Sequence, residues 1–568
     1  MKPACAFLIL WLSVPPLFAA DPSDVPAGSS AEVIEAKARE KAKEKLEEKI
    51  PEAPKIEAPE APPKKADETA VFIRRIRLRF HESVPQKEAA VFVKLENFRD
   101  RLAPYENRSV TFSEVTALTK ELESALREKG FFAVVRVPPQ DIRQGELVLE
   151  VLLSRMGDLS MEGPHYFRKR KTLSYWTLPA GQILRYDAIL ASVLAMNENP
   201  DREVKPLLQA GKTVGTTDVI LKSEERFPLH AGYSFDNQGV KLTGRERQGF
   251  TLRHNNILTL DDIFLIGTVF GNTYGAVFLQ HILPLNSRGT RFVWGVSHAQ
   301  VNPKKEFKEF GINGISQTYS MSLRQKLLQN RSTLANAYIG LNFKERSTHI
   351  LSVTSVWDRL RVLSFGGDLQ KKDAHGLWTL NQDFYFGFSP HGDGFALTSR
   401  RAESNFLKYG FSFQRQQILP FGSQAHLKFQ GQLSPDKLTS QEEFYLGGST
   451  TVRGYPETDY AADQALLASG EYLVPFFAAP KSWKLPYSSK TLREQIQLIG
   501  FFDYGYGRLR DPSERESRTR RLIGVGGGFA ISLRENLSAR FEWGAPLGEE
   551  PLTESGEDQF HFRFQANL

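Results

Sequence analysis

The sequence predicts a mainly β protein, a transmembrane β-barrel of about 16 strands preceded by two small α/β domains and an N-terminal helix. Two observations lead to this prediction. The roughly 340 residues after Pro228 alternate apolar and polar side chains and show no helical period. The chain of 568 residues contains 40 Phe, 17 Tyr and 43 Gly, which favours aromatic-rich strands joined by tight turns.

Composition and charge exclude two other classes of protein. Charged residues make up 24% of the chain, and the mean hydropathy is −0.35. No apolar run of about 18 residues follows the first 20 positions, so a bundle of transmembrane helices is excluded. The net charge is +7, but Lys and Arg are interspersed with Asp and Glu and form no basic stripe. Nucleic acid is therefore not expected as a partner.

Residues 1–20 have the pattern of a secretory signal peptide. Lys2 precedes the apolar run Ala4–Leu17, and small residues come just before Asp21. The one cysteine, Cys5, lies within this segment. The exported protein would then fold without disulfides. A soluble exported protein remains open as an alternative at this point.

Residues 21–69 are predicted to form a charged helix and a proline-rich linker. The helix covers Ala31–Ile50, and its apolar stripe is too narrow for a core helix, so it should lie in water or in a polar cavity. Five prolines between residues 51 and 63 predict a semi-rigid, extended tether. A charged spacer with no specific role is the alternative. One face of the helix presents a row of lysines four residues apart: Lys37, Lys41, Lys45 and Lys49.

Two small α/β domains are predicted over residues 70–156 and 157–228. In the first, alternation around Ile76 predicts a strand, and helices are predicted over 86–102 and after a capping box at Thr111 and Glu114. Strands over 131–137 and 146–153 complete this domain. In the second domain, the pattern predicts a weak first strand, a helix over 187–197 and a strand over 217–222.

Residues 229–568 are predicted to form the barrel. Residues 425–433 alternate strictly, with Leu427, Phe429 and Leu433 on one face and polar side chains on the other. Residues 335–344 and 409–414 show the same pattern. Such strands place one face in lipid and the other toward a polar lumen, and in a bilayer they must close into a barrel. A soluble β-sandwich is the alternative.

The connections between barrel strands are predicted to differ between the two rims. Pro284, Pro420 and Pro475 suggest tight turns at one rim. The polar stretches 302–313 and 371–377 suggest loops at the other rim.

Four motifs, in this order along the chain, carry a resemblance to a known family. The first is Gly130-Phe131-Phe132 with Pro138-Pro139-Gln140-Asp141 and Gly145-Glu146-Leu147, and the second is Asn197-Glu198-Asn199-Pro200 with Gly211, Gly215 and Thr217-Asp218. The third is Asp236-Asn237-Gln238-Gly239 with Thr243-Gly244, and the fourth is Val452-Arg453-Gly454-Tyr455 with Phe501-Phe502-Asp503. With these motifs the sequence resembles the two-partner secretion transporters (TpsB type, the ShlB/FhaC/HecB haemolysin secretion/activation proteins). These belong to the outer-membrane superfamily that combines POTRA domains with a barrel.

The resemblance implies a specific site in the lumen. The loop that contains Val452, Arg453, Gly454 and Tyr455 would fold into the barrel, with Asp503 and Phe501 on the wall beside Arg453. A buried guanidinium without a carboxylate partner would cost several kcal/mol, and a carboxylate can accept it in a bidentate fork. The charged helix over residues 31–50 would be the plug helix of the family. The chain departs from the pattern at Leu568, where outer-membrane barrels usually end in an aromatic residue.

The function implied is export of a large, β-helical type of secreted client protein, unfolded, through the pore. The protein would lie in the bacterial outer membrane, in contact with lipid and, during biogenesis, with the barrel-assembly machinery, and its POTRA domains would be periplasmic. No cofactor, metal or catalytic residue is predicted, since the eleven His are scattered and no hydrolase or metalloprotease motif occurs. A barrel-assembly or insertion factor is the main alternative, and a diffusion porin is a weaker one.

Overall fold

The computed structural model describes residues 70–567 except for several internal segments: 82–93, 143, 242, 303–311, 331, 351–352, 389–399, 401, 481, 485–490, 515, 534–535 and 553–557. The predicted signal peptide, the predicted plug helix with its four lysines, the proline-rich linker and Leu568 therefore lie outside the described residues. The chain divides between Phe227 and Pro228 into two compact units.

The first α/β domain has one three-stranded sheet and one two-stranded sheet. Its elements are β1 (Val71–Ile73), β2 (Arg75–Phe80), α1 (Arg99–Leu102), β3 (Arg108–Val110), α2 (Phe112–Glu128), β4 (Ala133–Arg136) and β5 (Glu146–Leu153). The larger sheet has the order β2-β5-β4, with β2 parallel to β5 and β4 antiparallel to it. The small sheet pairs β1 with β3.

Helix α2 covers this sheet and begins as predicted. Thr111 accepts a hydrogen bond from the backbone N–H of Glu114, and the Glu114 carboxylate accepts the N–H of Thr111, which is the capping box. The face that carries Leu118 and Leu122 is buried in the core. The other predicted helix, over 86–102, differs from the structure, because its described part is a 3₁₀ turn over Leu95–Phe98 followed by the four-residue α1.

The second α/β domain repeats the sheet topology of the first. Its elements are β6 (Arg155–Glu162), α3 (Lys169–Leu173), α4 (Tyr186–Met196), β7 (Arg202–Ala210) and β8 (Thr216–Glu225). The sheet has the order β6-β8-β7, with β6 parallel to β8. Strand β7 and helix α3 were not expected from the sequence. Pro206 interrupts the pattern of β7, and it is accommodated because β7 is an edge strand.

The second unit is a β-barrel, closed by 16 strands of the described chain, which confirms the predicted fold class. The elements of this unit are β9 (Leu229–Asp236), β10 (Arg247–His254), β11 (Ile263–Gly271), β12 (Tyr274–Pro284), β13 (Thr290–Val301), β14 (Asn313–Gln329), β15 (Thr333–Ile350), β16 (Val353–Asp373), β17 (Gly376–Phe388), β18 (Phe406–Ile418), β19 (Gln424–Leu433), β20 (Phe444–Leu446), β21 (Tyr460–Ala462), β22 (Gln464–Pro475), α5 (Leu492–Gln495), β23 (Ile496–Arg508), β24 (Thr519–Leu533), β25 (Leu537–Pro546) and β26 (Gln559–Asn567). All neighbouring barrel strands are antiparallel, and β26 pairs with β9 to close the ring. The short strands β20 and β21 pair with each other outside the barrel wall.

The two faces of the wall have opposite chemistry, as the alternation predicts. On β23, Phe502 is 53% exposed, whereas its neighbour Asp503 is fully buried. On β19, Leu427 and Phe429 are exposed and Gln432 is buried. The apolar residues form the outer surface and the polar residues face the lumen.

The connections at the rims follow the prediction only in part. The connections after Pro284 and Ile418 are short, but the one after Pro475 continues to Ile496 and contains α5, so a tight turn there was wrong. Residues 371–377 were predicted as a loop at the opposite rim, and this was also wrong. They form a hairpin with a two-residue turn, 374–375, at the same rim as the connection after Ile418, because both join an even-numbered strand to the next one. The hydrophilic composition of this turn conceals its tight geometry.

None of the helices in the described part of the chain is both long enough and apolar enough to cross a bilayer.

Candidate functional site

Residues 434–463, which connect β19 to β22, form a long loop that folds into the barrel. Val452 and Tyr455 of this loop are fully buried, and they pack with Leu467 and Leu522 of the barrel wall. The hairpin of β20 and β21 forms the base of the loop. The loop therefore has its own hydrophobic core against the wall, and this core positions the residues between β20 and β21.

Arg453 is held by three carboxylates of the lumen wall. Its Nε lies 2.7 Å from Asp503 Oδ2 and its Nη2 lies 2.8 Å from Asp503 Oδ1, so the guanidinium binds this carboxylate as a bidentate fork. Nη1 donates to Glu542 Oε1 at 2.7 Å and also to Glu471. Ser469 donates to Asp503 at 2.6 Å. We call Arg453 with Asp503, Glu471 and Glu542 the Arg453 site.

The charges around the Arg453 site balance. Arg540 of β25 donates to both Glu471 and Glu542. Lys428 of β19 lies nearby and donates to the carbonyl oxygen of Thr450 at 3.2 Å. Three cations thus face three carboxylates, so that no charge in this buried cluster is left without an opposite one.

Phe501 and the glycines of the wall complete the fit. The guanidinium carbon of Arg453 lies 3.6 Å from the ring centroid of Phe501, a cation–π contact. Gly454 has φ +98°, a conformation that other residues rarely adopt. A Cβ at Gly524 would collide with the carbonyl oxygen of Arg453, and one at Gly544 would lie 2.7 Å from the Gly454 nitrogen. The loop tip approaches β24 and β25 this closely only because these wall positions are glycines.

Tyr455 ties the loop to an outer connection of the barrel. Its hydroxyl donates to the carbonyl oxygen of Glu549 at 2.9 Å and accepts the N–H of Gly548 at 3.2 Å. The four residues of the motif therefore have separate roles: Val452 packs, Arg453 pairs with charge, Gly454 turns the chain and Tyr455 bonds to the outer loop.

A second ionic contact holds the base of the long loop. Glu442 is 1% exposed and lies 2.9 Å from Lys344 Nζ and 2.7 Å from Lys408 Nζ. These lysines belong to β15 and β18, whereas Glu542 of the Arg453 site belongs to β25, eight strands from β15 in the ring of 16. The loop therefore crosses the lumen between opposite walls. We call Glu442 with Lys344 and Lys408 the Glu442 site.

The next residue of the loop makes a similar contact with an outer connection. Arg400 bridges Glu443 and Asp463, at 2.9 Å from the latter. Asp463 also accepts the backbone N–H groups of Leu438 and Arg510, at 2.8 and 2.6 Å. Both ends of the long loop are thereby joined through buried charges.

The structure brings Val452, Arg453, Gly454 and Tyr455 together with Asp503 and Phe501. Sequence reasoning missed Glu471, Glu542 and Arg540, and it missed the whole Glu442 site. Alternation does place these side chains on the lumen face of their strands. However, alternation marks many lumen residues alike and does not reveal which of them meet the loop.

The edges of the α/β sheets are capped by side chains. Glu106 accepts the N–H of Ile76 on β2 at 2.8 Å, and Glu123 accepts the N–H of Val135 on β4 at 2.9 Å. Burial raises the pKa of Glu123, and the hydrogen bond from Val135 opposes this shift. Each cap occupies a backbone group that an added strand would otherwise use.

In the second α/β domain, Asn197 caps the edge strand β7. Its side chain accepts the N–H of Val204 at 2.6 Å and donates to the Val204 carbonyl oxygen at 3.0 Å. Asn197 is thus a structural residue of the motif Asn197-Glu198-Asn199-Pro200. Arg202, two residues after this motif, is 2% exposed and donates to the carbonyl oxygen of Met196 at the C-terminus of α4.

Asn237 performs an equivalent task where the barrel closes. Strands β26 and β9 share five residue pairs, from Arg563–Asp236 to Asn567–Gly232. Beyond the last of these pairs, the Asn237 side chain donates to the Phe560 carbonyl oxygen at 2.7 Å and accepts the Phe562 N–H at 2.9 Å. The side-chain amide continues the ladder in place of backbone, which gives the third motif a physical role.

Comparison with known families gives two matches. Residues 215–531 match the model of the haemolysin secretion/activation protein ShlB/FhaC/HecB. Residues 72–153 match the POTRA domain of ShlB type.

Individual relatives agree with the family matches. The heme/hemopexin transporter protein HuxB of Haemophilus influenzae (strain 86-028NP) is 22% identical over 453 residues, which cover 76% of this chain and 77% of the relative. Among solved structures, CdiB from Escherichia coli has a TM-score of 0.69 at 19% identity, covering 94% of this chain and 98% of that one. BamA from Haemophilus ducreyi, solved without POTRA domains 1–3, has a TM-score of 0.55 at 11% identity, covering 88% of this chain and 100% of that one. At these identities the structures show a shared fold.

Proposed function

The chain belongs to the haemolysin secretion/activation protein family (ShlB/FhaC/HecB), the two-partner secretion transporters of the outer membrane, and we propose that it exports one large client, unfolded, through its lumen. Its barrel lies in the outer membrane and its POTRA domains lie in the periplasm. It acts together with a secreted partner protein, and its family is one of transporters rather than enzymes. We expect a client of the β-helical type, as the sequence resemblance implies.

The observation that carries this proposal is the long loop inside the closed barrel. Its tip is held at the Arg453 site and its base at the Glu442 site, on opposite walls. A 16-strand barrel is wide enough for a water-filled channel unless something fills it. We infer that the loop obstructs this channel at rest and that export requires the tip to move while the base remains attached.

The Arg453 site is suited to be the part that moves. Glu442 is clamped by two lysines and surrounded by buried neighbours, whereas the Arg453 tip is attached through polar contacts and one aromatic ring. A client segment with its own charged side chains could replace those contacts in the polar lumen. A charge-balanced site also lowers the cost of such an exchange, because neither side leaves an unpaired charge.

The POTRA domains supply docking edges that are capped rather than free. A client strand added to β4 must first displace Glu123 from the N–H of Val135. We infer that this cap disfavours unspecific strand addition in the periplasm, and that a specific client offsets the lost hydrogen bond with its own backbone bonds and side-chain contacts.

A photo-crosslinking experiment tests passage through the lumen. A photoreactive residue replaces Asn342, which faces the lumen on β15, or Ile339, which is 52% exposed on the outer face of the same strand. We expect a crosslink to one large secreted protein from position 342 and none from position 339. Crosslinks to several outer-membrane barrel proteins from the outer face would instead indicate a barrel-assembly factor, and the export proposal would then be wrong.

A further inference from the structure

The turn 255–262, which joins β10 to β11, exposes a group of large aliphatic side chains. Ile257, Leu258 and Leu260 are 46%, 50% and 44% exposed. In contrast, the polar residues Asn255, Asn256 and Asp262 of the same turn are buried. This is the reverse of an ordinary surface turn, in which the polar residues face water.

The polar residues of the turn are directed toward the barrel wall. Asp262 Oδ1 accepts the N–H of Leu258 at 3.0 Å, and its Oδ2 lies 2.8 Å from Nε2 of His281 on β12. Asn256 accepts the N–H of Asp261 at 2.9 Å. The turn thus satisfies its own backbone N–H groups with buried side chains.

His281 shows on which side of the wall the turn lies. It shares a strand face with Val277, which is 51% exposed on the outer surface, and it stands between Phe264 and Trp294 of the neighbouring strands. Although it belongs to this outer row, His281 is only 6% exposed. Asp262 and its turn cover it, so the turn folds back over the outside of the barrel.

The backbone of the turn is held in an unfavourable conformation. Thr259 has φ +59° and Asp261 has φ +67°. Positive φ is a true outlier for a β-branched residue and persists only where the surrounding structure enforces it. The contacts of Asp262 and Asn256 supply that constraint.

We propose that the turn 255–262 is a membrane-interface anchor: Ile257, Leu258 and Leu260 insert into the periplasmic leaflet, and the Asp262–His281 contact holds the turn against the wall. The turn adjoins the periplasmic rim, since Asn255 donates to the carbonyl oxygen of Pro228, where the barrel begins. Its apolar surface continues the lipid-facing row of the barrel, and backbone next to lipid must have its polar groups satisfied internally. The proposal rests on the outer-membrane location and not on the transport mechanism.

Spin-label accessibility tests the proposal in the full-length protein. Cys5→Ser removes the one native cysteine, and a nitroxide is attached at Leu258→Cys. The protein is placed in nanodiscs of phosphatidylethanolamine and phosphatidylglycerol, which leave both membrane faces open to water. Val277→Cys is the lipid-exposed control and Phe112→Cys, 73% exposed in the first POTRA domain, is the water-exposed control.

We expect the label at position 258 to collide more with oxygen than with a water-soluble nickel chelate, as at position 277. A label that meets the nickel chelate as readily as the one at position 112 would overturn the proposal. A label shielded from both reagents would also overturn it, because a protein surface would then cover the turn.

A second variant tests the role of the contact with His281. Asp262→Asn removes the carboxylate while keeping the side-chain shape, and we expect the label at position 258 to become several-fold more accessible to the nickel chelate. The label at Val277 should not change, which shows that the barrel is intact. If the label at position 258 keeps its lipid exposure in this variant, Asp262 does not hold the turn and that part of the proposal is wrong.

Discussion

The guanidinium of Arg453 meets the carboxylate of Asp503 through two parallel hydrogen bonds of 2.7 and 2.8 Å, and both groups are removed from water. The backbone N–H of Arg453 adds a third bond to the same carboxylate at 3.1 Å. One aspartate of β23 therefore fixes both the side chain and the backbone of the loop tip. This makes the Arg453 site the part of the lumen where a single substitution has the largest effect on the loop.

Arg453→Ala should release the loop tip while leaving the barrel assembled. The variant leaves three buried carboxylates with one fewer cation, and breaking a buried ion pair costs about 3–5 kcal/mol. Since about 1.4 kcal/mol changes an equilibrium tenfold, we expect more than a tenfold fall in secretion. Arg453→Lys should restore only part of it, because lysine cannot form the bidentate fork. Secretion is measured by immunoblot of the medium, and heat modifiability verifies barrel folding. Normal secretion by Arg453→Ala would contradict the role of this site.

Gly524→Ala should displace the loop tip without changing any charge. The added Cβ would overlap the carbonyl oxygen of Arg453, and backbone cannot move aside easily. Gly500→Ala on β23 is the matched control, because a Cβ there meets nothing within 4 Å. Single-channel recordings in planar bilayers should show more frequent opening for Gly524→Ala and wild-type behaviour for Gly500→Ala. Equal behaviour of the two variants would mean that the tip does not obstruct the pore.

Substitutions at the Glu442 site should be strongly non-additive. Lys344→Met or Lys408→Met alone leaves Glu442 with one cation, so each should have a small effect on channel conductance. The double variant leaves a buried carboxylate without a cation, and we expect a loosened loop base and a noisy, more open channel. Adding Glu442→Gln removes the buried charge and should restore the quiet channel. Additive effects without this rescue would contradict the ionic role of Glu442.

Asn197→Ala should destabilise the edge of the second POTRA domain. The substitution leaves the N–H and the carbonyl oxygen of Val204 without their partner, at a cost of about 1–3 kcal/mol. Hydrogen exchange of the full-length protein should show faster exchange in β7. Gln209→Ala, an exposed position of the same strand, is the control and should exchange as the wild type does. Unchanged exchange at Val204 in Asn197→Ala would contradict the capping role.

Deleting residues 31–50 tests the predicted plug helix, which lies outside the described residues. The row Lys37, Lys41, Lys45 and Lys49 suits a polar lumen, so its removal should raise the conductance in a planar bilayer. Charge reversal of these four lysines to glutamate should raise it as well if the charges hold the helix in place. Unchanged conductance after the deletion would count against a plug in this segment.

Sequence patterns predicted those parts of the fold that depend on local periodicity. Two-residue alternation identified the barrel strands, and the capping box at Thr111 identified the start of α2. The short helix over 99–102 and the connection after Pro475 were mistaken, because helix length and loop length depend on tertiary contacts that a local pattern does not contain.

The site shows the same division. The resemblance named Arg453 and Asp503, which are close in space and 50 positions apart. Glu542 is 89 positions from Arg453, and Lys344 is 98 positions from Glu442, so their meeting depends on the order of strands around the barrel. The turn 255–262 shows a third case. Its composition resembles a buried segment, and only the register of His281 reveals that it covers the outside of the wall.

The most direct test of export compares a deletion strain with its parent by mass spectrometry of the culture medium and the outer membrane. The deletion strain is complemented with the wild-type gene, the Arg453→Ala variant or an empty vector. Our account predicts that one large protein disappears from the medium in the deletion strain, returns with the wild type and remains scarce with Arg453→Ala, while the outer-membrane profile stays intact. A general loss of barrel proteins from the outer membrane, with the medium unchanged, would contradict it.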